Sequence, residues 1–351
     1  MDLRGNDSLE TALTDKQIKA LSVVYVSTLS LSVLGSFSVI LVSIFRRQHL
    51  RKQARPLFQL ALADLLAATV LLLNTAMNFS HPPLSIPICE RGLPLSLTFY
   101  SISFLLVVVY AYESKRVAQG WRESSAGGES ESGPGVAFPP LYVIVWVVPM
   151  SVYLLYVTTE SLTEASVLTE PGFSVSNQAM SKDHSTFCSS CILLLHIRND
   201  TCSHVDSGHD MFVKCFLLIS VLLVLLCCIV VYSKVSSWFR GYEERATLPM
   251  EGDSFSRRRL RGLCATARSM VLVVTFCWTP VLALVVLSFV QSISQETLFP
   301  LYVIQALGVS LHGLLNSIVY GWRRRNFRDA ARAERTPLLE KPFFEESLTA
   351  N

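Results

Sequence analysis

The stretch HGLLNSIVYGWRRRNF, residues His312 to Phe327, places Asn316 and Tyr320 one helical turn apart inside an apolar run, then stops at consecutive arginines. Residues four apart stack on one helix face, and His312 extends that face by a further turn. A polar group in a lipid-spanning helix needs a partner on another helix or a trapped water, because lipid offers none. The spacing therefore predicts a membrane helix with a polar inner face. A plain anchor would also end in aromatic and basic residues, but it would not require Asn316 and Tyr320. Trp322 suits the membrane interface, and the arginines stop the span and begin a surface helix. In that helix Arg324, Phe327, Arg328 and Ala331 recur at i, i+3, i+4 and i+7. Phe327 is therefore expected against lipid while the basic groups reach headgroups.

The rest of the chain agrees with a membrane setting. Hydrophobic residues make up 51% and charged residues 16%, whereas soluble chains average about 25% charged. A net charge of +3, with no basic-aromatic stripe, excludes a nucleic-acid partner. Apolar runs long enough to cross a bilayer, about 20 residues as helix, fall at Leu21–Phe45, Leu57–Phe79, Leu93–Tyr112, Val136–Val157, Met211–Tyr232, Met270–Val290 and Leu298–Trp322. None has the polar counter-face that a core helix of a soluble protein carries. The expected fold is an all-α membrane protein, a bundle of seven transmembrane helices. It divides into a short outer N-terminus (1–20), the bundle (21–322) and a cytoplasmic tail with an amphipathic helix (323–351). The first run follows a polar segment and ends at Arg46-Arg47 without a small-residue cleavage site, so it is expected to stay as a span.

Orientation follows from the basic loops. Arg46, Arg47, Arg51, Lys52 and Arg55 fill the first connection, Arg257 to Arg261 include RRRLR in the fifth-to-sixth, and Arg323 to Arg325 open the tail. The N-terminus is therefore expected outside or in a lumen, and the C-terminus in the cytoplasm, in the plasma membrane or an endosomal or lysosomal membrane. The glycosylation sequons at Asn6, Asn78 and Asn199 fall on the outer side. So do Cys89, Cys188, Cys191 and Cys202, in an oxidising compartment where disulfides form. The fourth-to-fifth connection, 158–210, is a long outer loop. The third-to-fourth, GWRESSAGGESESGPG, is rich in Gly, Ser and Glu and is expected to be a disordered cytoplasmic linker.

Inside the predicted spans, LALADLL carries Asp64 near mid-depth. An ionised Asp there costs about 2.5–3.5 kcal/mol on insertion, so it is expected to face the bundle interior and a partner. FCWTP sets Pro280 inside the sixth span, where it removes a backbone hydrogen bond and bends the helix, with Trp278 just before it. No nucleophile, metal cage or pair of acids suggests an enzyme, and no cofactor is expected.

These motifs resemble the rhodopsin-like G-protein-coupled receptors. That family has LxxxD on helix two, matched by Leu60 and Asp64, and CWxP on helix six, matched by Cys277, Trp278 and Pro280. It has NPxxY on helix seven, matched at Asn316 and Tyr320, followed by an amphipathic helix, here RRRNFRDAARA. The resemblance implies a receptor bundle with an unknown ligand and a G protein as partner. It also implies a sodium-type pocket of Asp64, Ser103, Trp278, His312 and Asn316, with Ser103 placed by counting inward from Cys89. Cys89 matches the cysteine that the family bonds to its second outer loop, here with any one of Cys188, Cys191 and Cys202. His312 stands where the family has Asn. Since His titrates near neutrality, a proton-sensitive pocket is the corresponding expectation. Against it stands a plain polar cluster holding helices in register.

The match departs at the switch residues. Ser317 replaces the Pro of helix seven, and Ser36 replaces an Asn of helix one. The inner end of the third span reads Glu113-Ser114-Lys115-Arg116, so Ser114 takes the place of the G-protein-facing Arg. Atypical or absent coupling is the expectation, and a non-signalling endosomal or lysosomal scaffold or trafficking cargo is the alternative. FCWTP, LYVIQALGVSLHGLLNSIVYGW and RTPLL also resemble the transmembrane protein 116 family of multispan proteins.

Two further motifs lie outside the spans. Cys188, Cys191, His196, Cys202 and His204 could suggest zinc, but outside the cytosol disulfides are the better reading, and no metal site is expected. In the tail, Glu334 precedes Leu338-Leu339 by four residues. That is the spacing of an acidic dileucine signal, in which the acid meets a basic patch and the leucines fill an apolar pocket on a clathrin adaptor.

Overall fold

A computed structural model describes residues 13, 15–45, 54–80, 85–125, 139–168, 192, 215, 218–230, 232–234, 236–237, 254–290 and 296–322. In chain order the helices are α1 (Asp15–Phe45), α2 (Ala54–Ser80), α3 (Ser85–Ser125) and α4 (Pro139–Leu168). A shorter apolar helix, α5 (Leu218–Lys234), comes next. Then follow α6 (Ser254–Ser288) and α7 (Phe299–Asn316), which passes into a π-helical turn, Ser317–Trp322. Six of them, all but α5, are long and apolar enough to cross a membrane. The chain is an all-α, multi-pass membrane protein, and no strand occurs among the described residues.

The apolar runs mark where helices lie but not where they end. α3 has 41 residues, about 60 Å at 1.5 Å per residue, roughly twice the hydrocarbon thickness. It runs through Gly120 and Trp121, residues that open the stretch expected to be a linker. α4 likewise runs to Leu168, into the expected outer loop. There Thr158 and Thr159 bond back to the carbonyls of Leu155 and Tyr156 at 2.8 to 3.0 Å, and the next breaker is Pro171-Gly172. Loss of lipid ends an apolar run. It does not end a helix whose own backbone bonds remain satisfied.

α1, α2, α3, α6 and α7 close a ring, each packed on the next, with α7 returning to α1. α4 packs outside that ring against α3. Large apolar side chains face outward, among them Leu155 on α4 and Phe276 on α6, 65% and 75% exposed. In water such a surface would aggregate, so its solvent is lipid. The buried interior holds Tyr25, Leu71, Tyr100, Ile102 and Trp278, together with a set of polar groups.

Small residues let α7 approach its neighbours. A Cβ on Gly308 would stand 2.7 Å from the backbone oxygen of Cys277 on α6. One on Gly313 would stand 2.6 Å from Ser32 Oγ, and one on Gly35 would stand 2.9 Å from Leu314 Cδ1. Small side chains are the usual route to close helix packing in lipid, where apolar surfaces gain little from meeting each other. The Leu314 N–H donates to Ser32 Oγ at 3.0 Å, which ties α7 to α1 directly.

Candidate functional site

Asp64, Ser103, Trp278, His312 and Asn316, from α2, α3, α6 and α7, are all buried. Asp64 is the centre. Ser103 Oγ donates to its Oδ1 at 2.5 Å, and Asn316 Nδ2 donates to its Oδ2 at 3.0 Å. Asn316 Nδ2 also lies 3.1 Å from His312 Nε2. An amide nitrogen carries two hydrogens and no acceptor, so His312 Nε2 accepts, and this bond places the ring hydrogen on Nδ1. His312 Nε2 is 3.7 Å from Asp64 Oδ1 and 3.5 Å from Ser103 Oγ, a neighbour of the carboxylate at longer range. Three helices thus meet in one hydrogen-bonded cluster.

Each contributes by position on its helix. Asp64 lies in an alanine-rich turn, with Ala61, Ala63, Ala67 and Ala68 buried around it. Small side chains of this kind let neighbouring helices approach closely in lipid. His312 and Asn316 share a face four residues apart, as their spacing requires. Gly313 lets that turn of α7 lie close to α2, since a Cβ there would stand 3.3 Å from Asp64 Cβ.

Aromatic rings cover the cluster. Tyr100 and Phe104, four apart on α3, each meet both Trp278 and His312 edge to face, with ring centroids 4.8 to 5.7 Å apart. Such pairs add about 0.5–1.5 kcal/mol beyond burial. Tyr100 Oη also donates to the Val309 carbonyl at 3.2 Å. A second polar tie, Tyr25 Oη to Gln305 Oε1 at 3.0 Å, joins α1 to α7. Among the described residues, Trp278 Nε1, His312 Nδ1 and Asn316 Oδ1 are buried and meet no hydrogen-bond partner. Buried polar atoms are normally satisfied, so these three mark unspent donor and acceptor capacity at the cluster.

The structure therefore brings together Asp64, Ser103, His312 and Asn316, with Trp278 joined through the rings. Tyr100, Phe104, Ser32 and Gly313 were not singled out from sequence. Tyr100 and Phe104 share a face of α3 beside Ser103, a spacing present in FYSISF but shared by any lipid-facing aromatic pair. Pro280 lies within α6, which continues through it as helix, while the Thr279 hydroxyl bonds back to the Thr275 carbonyl at 2.6 Å. Glu113, Ser114, Lys115 and Arg116 lie on the continuous C-terminal half of α3, and Tyr320 in the π-helical turn. Their side chains lie outside what is described, as do those of Cys89 and Asn78. Asn6, Cys188, Cys191, Asn199, Cys202, Glu334, Leu338, Leu339 and the amphipathic segment after Trp322 lie outside the described residues altogether. Among the cysteines whose side chains are described, Cys228 and Cys277 are buried, Cys215 is half-buried, and Cys227 is exposed on the apolar surface.

At Ser317 the helix departs from α geometry without a proline. The Ser317 N–H reaches the carbonyls of both Gly313 and Leu314, its hydroxyl bonds Gly313 O at 2.7 Å, and a π-helical turn follows. Back-bonding serines and glycines loosen a helix, and single π turns recur at functional sites. The family model described as Transmembrane protein 116 matches residues 18–340, a stretch that holds every residue of the Asp64 cluster.

Proposed function

The chain belongs to the transmembrane protein 116 family, and from that premise we propose that it is a seven-helix, receptor-like protein of rhodopsin-like architecture. In this reading α5 is the remaining span, and an outer or luminal ligand shifts α6 and α7 around Asp64. The observation that supports it is the cluster itself. Asp64 is bonded from α3 and α7 while α6 touches the same group through Trp278. A shift of α6 has a route to the carboxylate through the rings of Tyr100, Phe104 and His312.

The Asp64 pocket is read as cation- or proton-responsive. With Nε2 accepting from Asn316, protonation of His312 would set a second donor against the amide nitrogen and turn one of the two groups away. His312→Asn removes that conflict. A pH-dependent conformational signal that survives the substitution unchanged would refute the proton reading. Coupling is proposed as atypical, since Ser114 offers a hydroxyl where the receptor family offers a guanidinium. Constitutive and ligand-panel G-protein activation should be weak for the native chain and rise with Ser114→Arg. Silence of both would favour the second reading, a non-signalling endosomal or lysosomal scaffold or cargo. That reading draws on Ser114, on Ser317, and on the tail signal of Glu334, Leu338 and Leu339 for a clathrin adaptor. Leu338-Leu339→Ala-Ala should move the protein toward the cell surface, and an unchanged distribution would remove the adaptor. The sequons at Asn6, Asn78 and Asn199 and a disulfide from Cys89 to the outer loop belong to the same proposed topology. Glycosidase shifts and non-reducing mass spectrometry test them.

A further inference from the structure

Arg268 is a half-buried cation on α6, about 5 Å past the start of its apolar span at Ala265 at 1.5 Å per residue. Its guanidinium donates to Tyr232 Oη on α5 at 3.3 Å, and its Cζ lies 5.4 Å from the centre of the Tyr232 ring. No carboxylate accompanies it among the described residues. A guanidinium has five N–H donors in a planar fork, and one hydroxyl occupies only one of them. A partly desolvated charge without a counterion is costly, and charged side chains at membrane depth normally have one.

The anion that lipid itself supplies near this depth is the phosphate of a headgroup. Arg is suited to it, since its fork matches two phosphate oxygens at once. The Tyr232 ring holds the guanidinium by its face, a cation–π contact, and the hydroxyl fixes the rotation of the fork. Preceding Arg268 on the same helix, Arg257 and Arg261 fall at spacings that return to one face. Basic clusters at this kind of membrane edge draw anionic lipids. We propose that Arg268, oriented by Tyr232, binds the phosphate of an anionic phospholipid at the seam between α5 and α6. This goes beyond the receptor reading and does not depend on it.

The test uses the full chain in nanodiscs of phosphatidylcholine mixed with phosphatidylserine, with co-retained lipid counted by native mass spectrometry. The native chain should retain phosphatidylserine in excess of its share. Arg268→Gln should reduce that excess by about tenfold, the scale of a charge-assisted hydrogen bond. Arg268→Lys, which keeps charge but not the fork, and Tyr232→Phe should each reduce it by roughly threefold. If Arg268→Gln does not fold, those two variants decide, and unchanged retention in both overturns the site. Lys234→Gln removes an equal charge from an exposed position at the end of α5 and should leave retention intact. An equal loss in Lys234→Gln would show general charge attraction instead of a site. Displacement of the lipid by inorganic phosphate alone would assign the position to a soluble anion and overturn the lipid proposal.

Discussion

Asp64 is 1% exposed, and a carboxylate in that position is tolerable only with its oxygens bonded. Ser103 is its closest donor, at 2.5 Å, and contributes nothing else to the cluster beyond its approach to His312. Ser103→Ala should therefore cost about 1–3 kcal/mol, the usual penalty for a buried acceptor left short of its donor. Asn316→Ala should cost more, because it breaks the bonds to Asp64 and His312 together. If the four residues act as one network, the double substitution should cost less than the sum of the two singles, since removing either already weakens the other's partner. Thermal unfolding midpoints of the four proteins in nanodiscs measure this. Strict additivity would mean independent contacts that happen to be near each other. The sequence made Asp64 and Asn316 legible because a carboxylate and an amide stand out in apolar runs. Tyr100 and Phe104 were hidden, because an aromatic side chain in a span serves equally well against lipid.

Helix α7 meets α1, α2 and α6, and its approach to each depends on atoms that are missing. A methyl on Gly308 would press on the Cys277 carbonyl at 2.7 Å, and backbone cannot turn aside. A methyl on Gly35 would meet Leu314 Cδ1 at 2.9 Å, the tip of a side chain with other rotamers. Both substitutions favour the helix itself by about 1 kcal/mol. Their packing effects should separate them. Gly308→Ala should lower the melting point and the yield of monodisperse protein, with about 1–3 kcal/mol of overpacking strain outweighing the propensity gain. Gly35→Ala should fall within about 1 kcal/mol of the native chain. Size-exclusion profiles and melting curves report both, and equal damage from the two would mean that the α6–α7 contact is looser than its geometry. Helix ends resist sequence reading for a related reason. Hydropathy reports the solvent around a residue, whereas a helix stops only when its backbone bonds do, which is how α3 and α4 outrun their apolar runs.

For the whole molecule the decisive quantity is the parity of membrane crossings. The apolar runs of the sequence foreshadowed the long helices α1, α2, α3, α4, α6 and α7, because lipid demands long apolar segments. The fifth span is the weak link. α5 runs from Leu218 to Lys234, about 25 Å at 1.5 Å per residue, slightly short of a hydrocarbon core of about 30 Å. A short span is accommodated by local thinning and by snorkelling of its end residues, and Tyr232, Lys234 and Arg268 stand together or nearby at one end to do this. If α5 crosses, the chain has seven crossings and its termini lie on opposite sides. If α5 lies in the interface, six remain and both termini share a side, which would also turn the Arg257–Arg261 cluster and the tail arginines to the face opposite the first basic connection, Arg46 to Arg55. The positive-inside bias opposes that arrangement. Epitope tags at the two ends, scored by antibody access before and after permeabilisation, should therefore read opposite: the N-terminal tag accessible at the surface or in the lumen, the C-terminal tag only from the cytoplasm. Tags on one side would leave the Asp64 cluster in place and remove the seven-helix receptor topology around it.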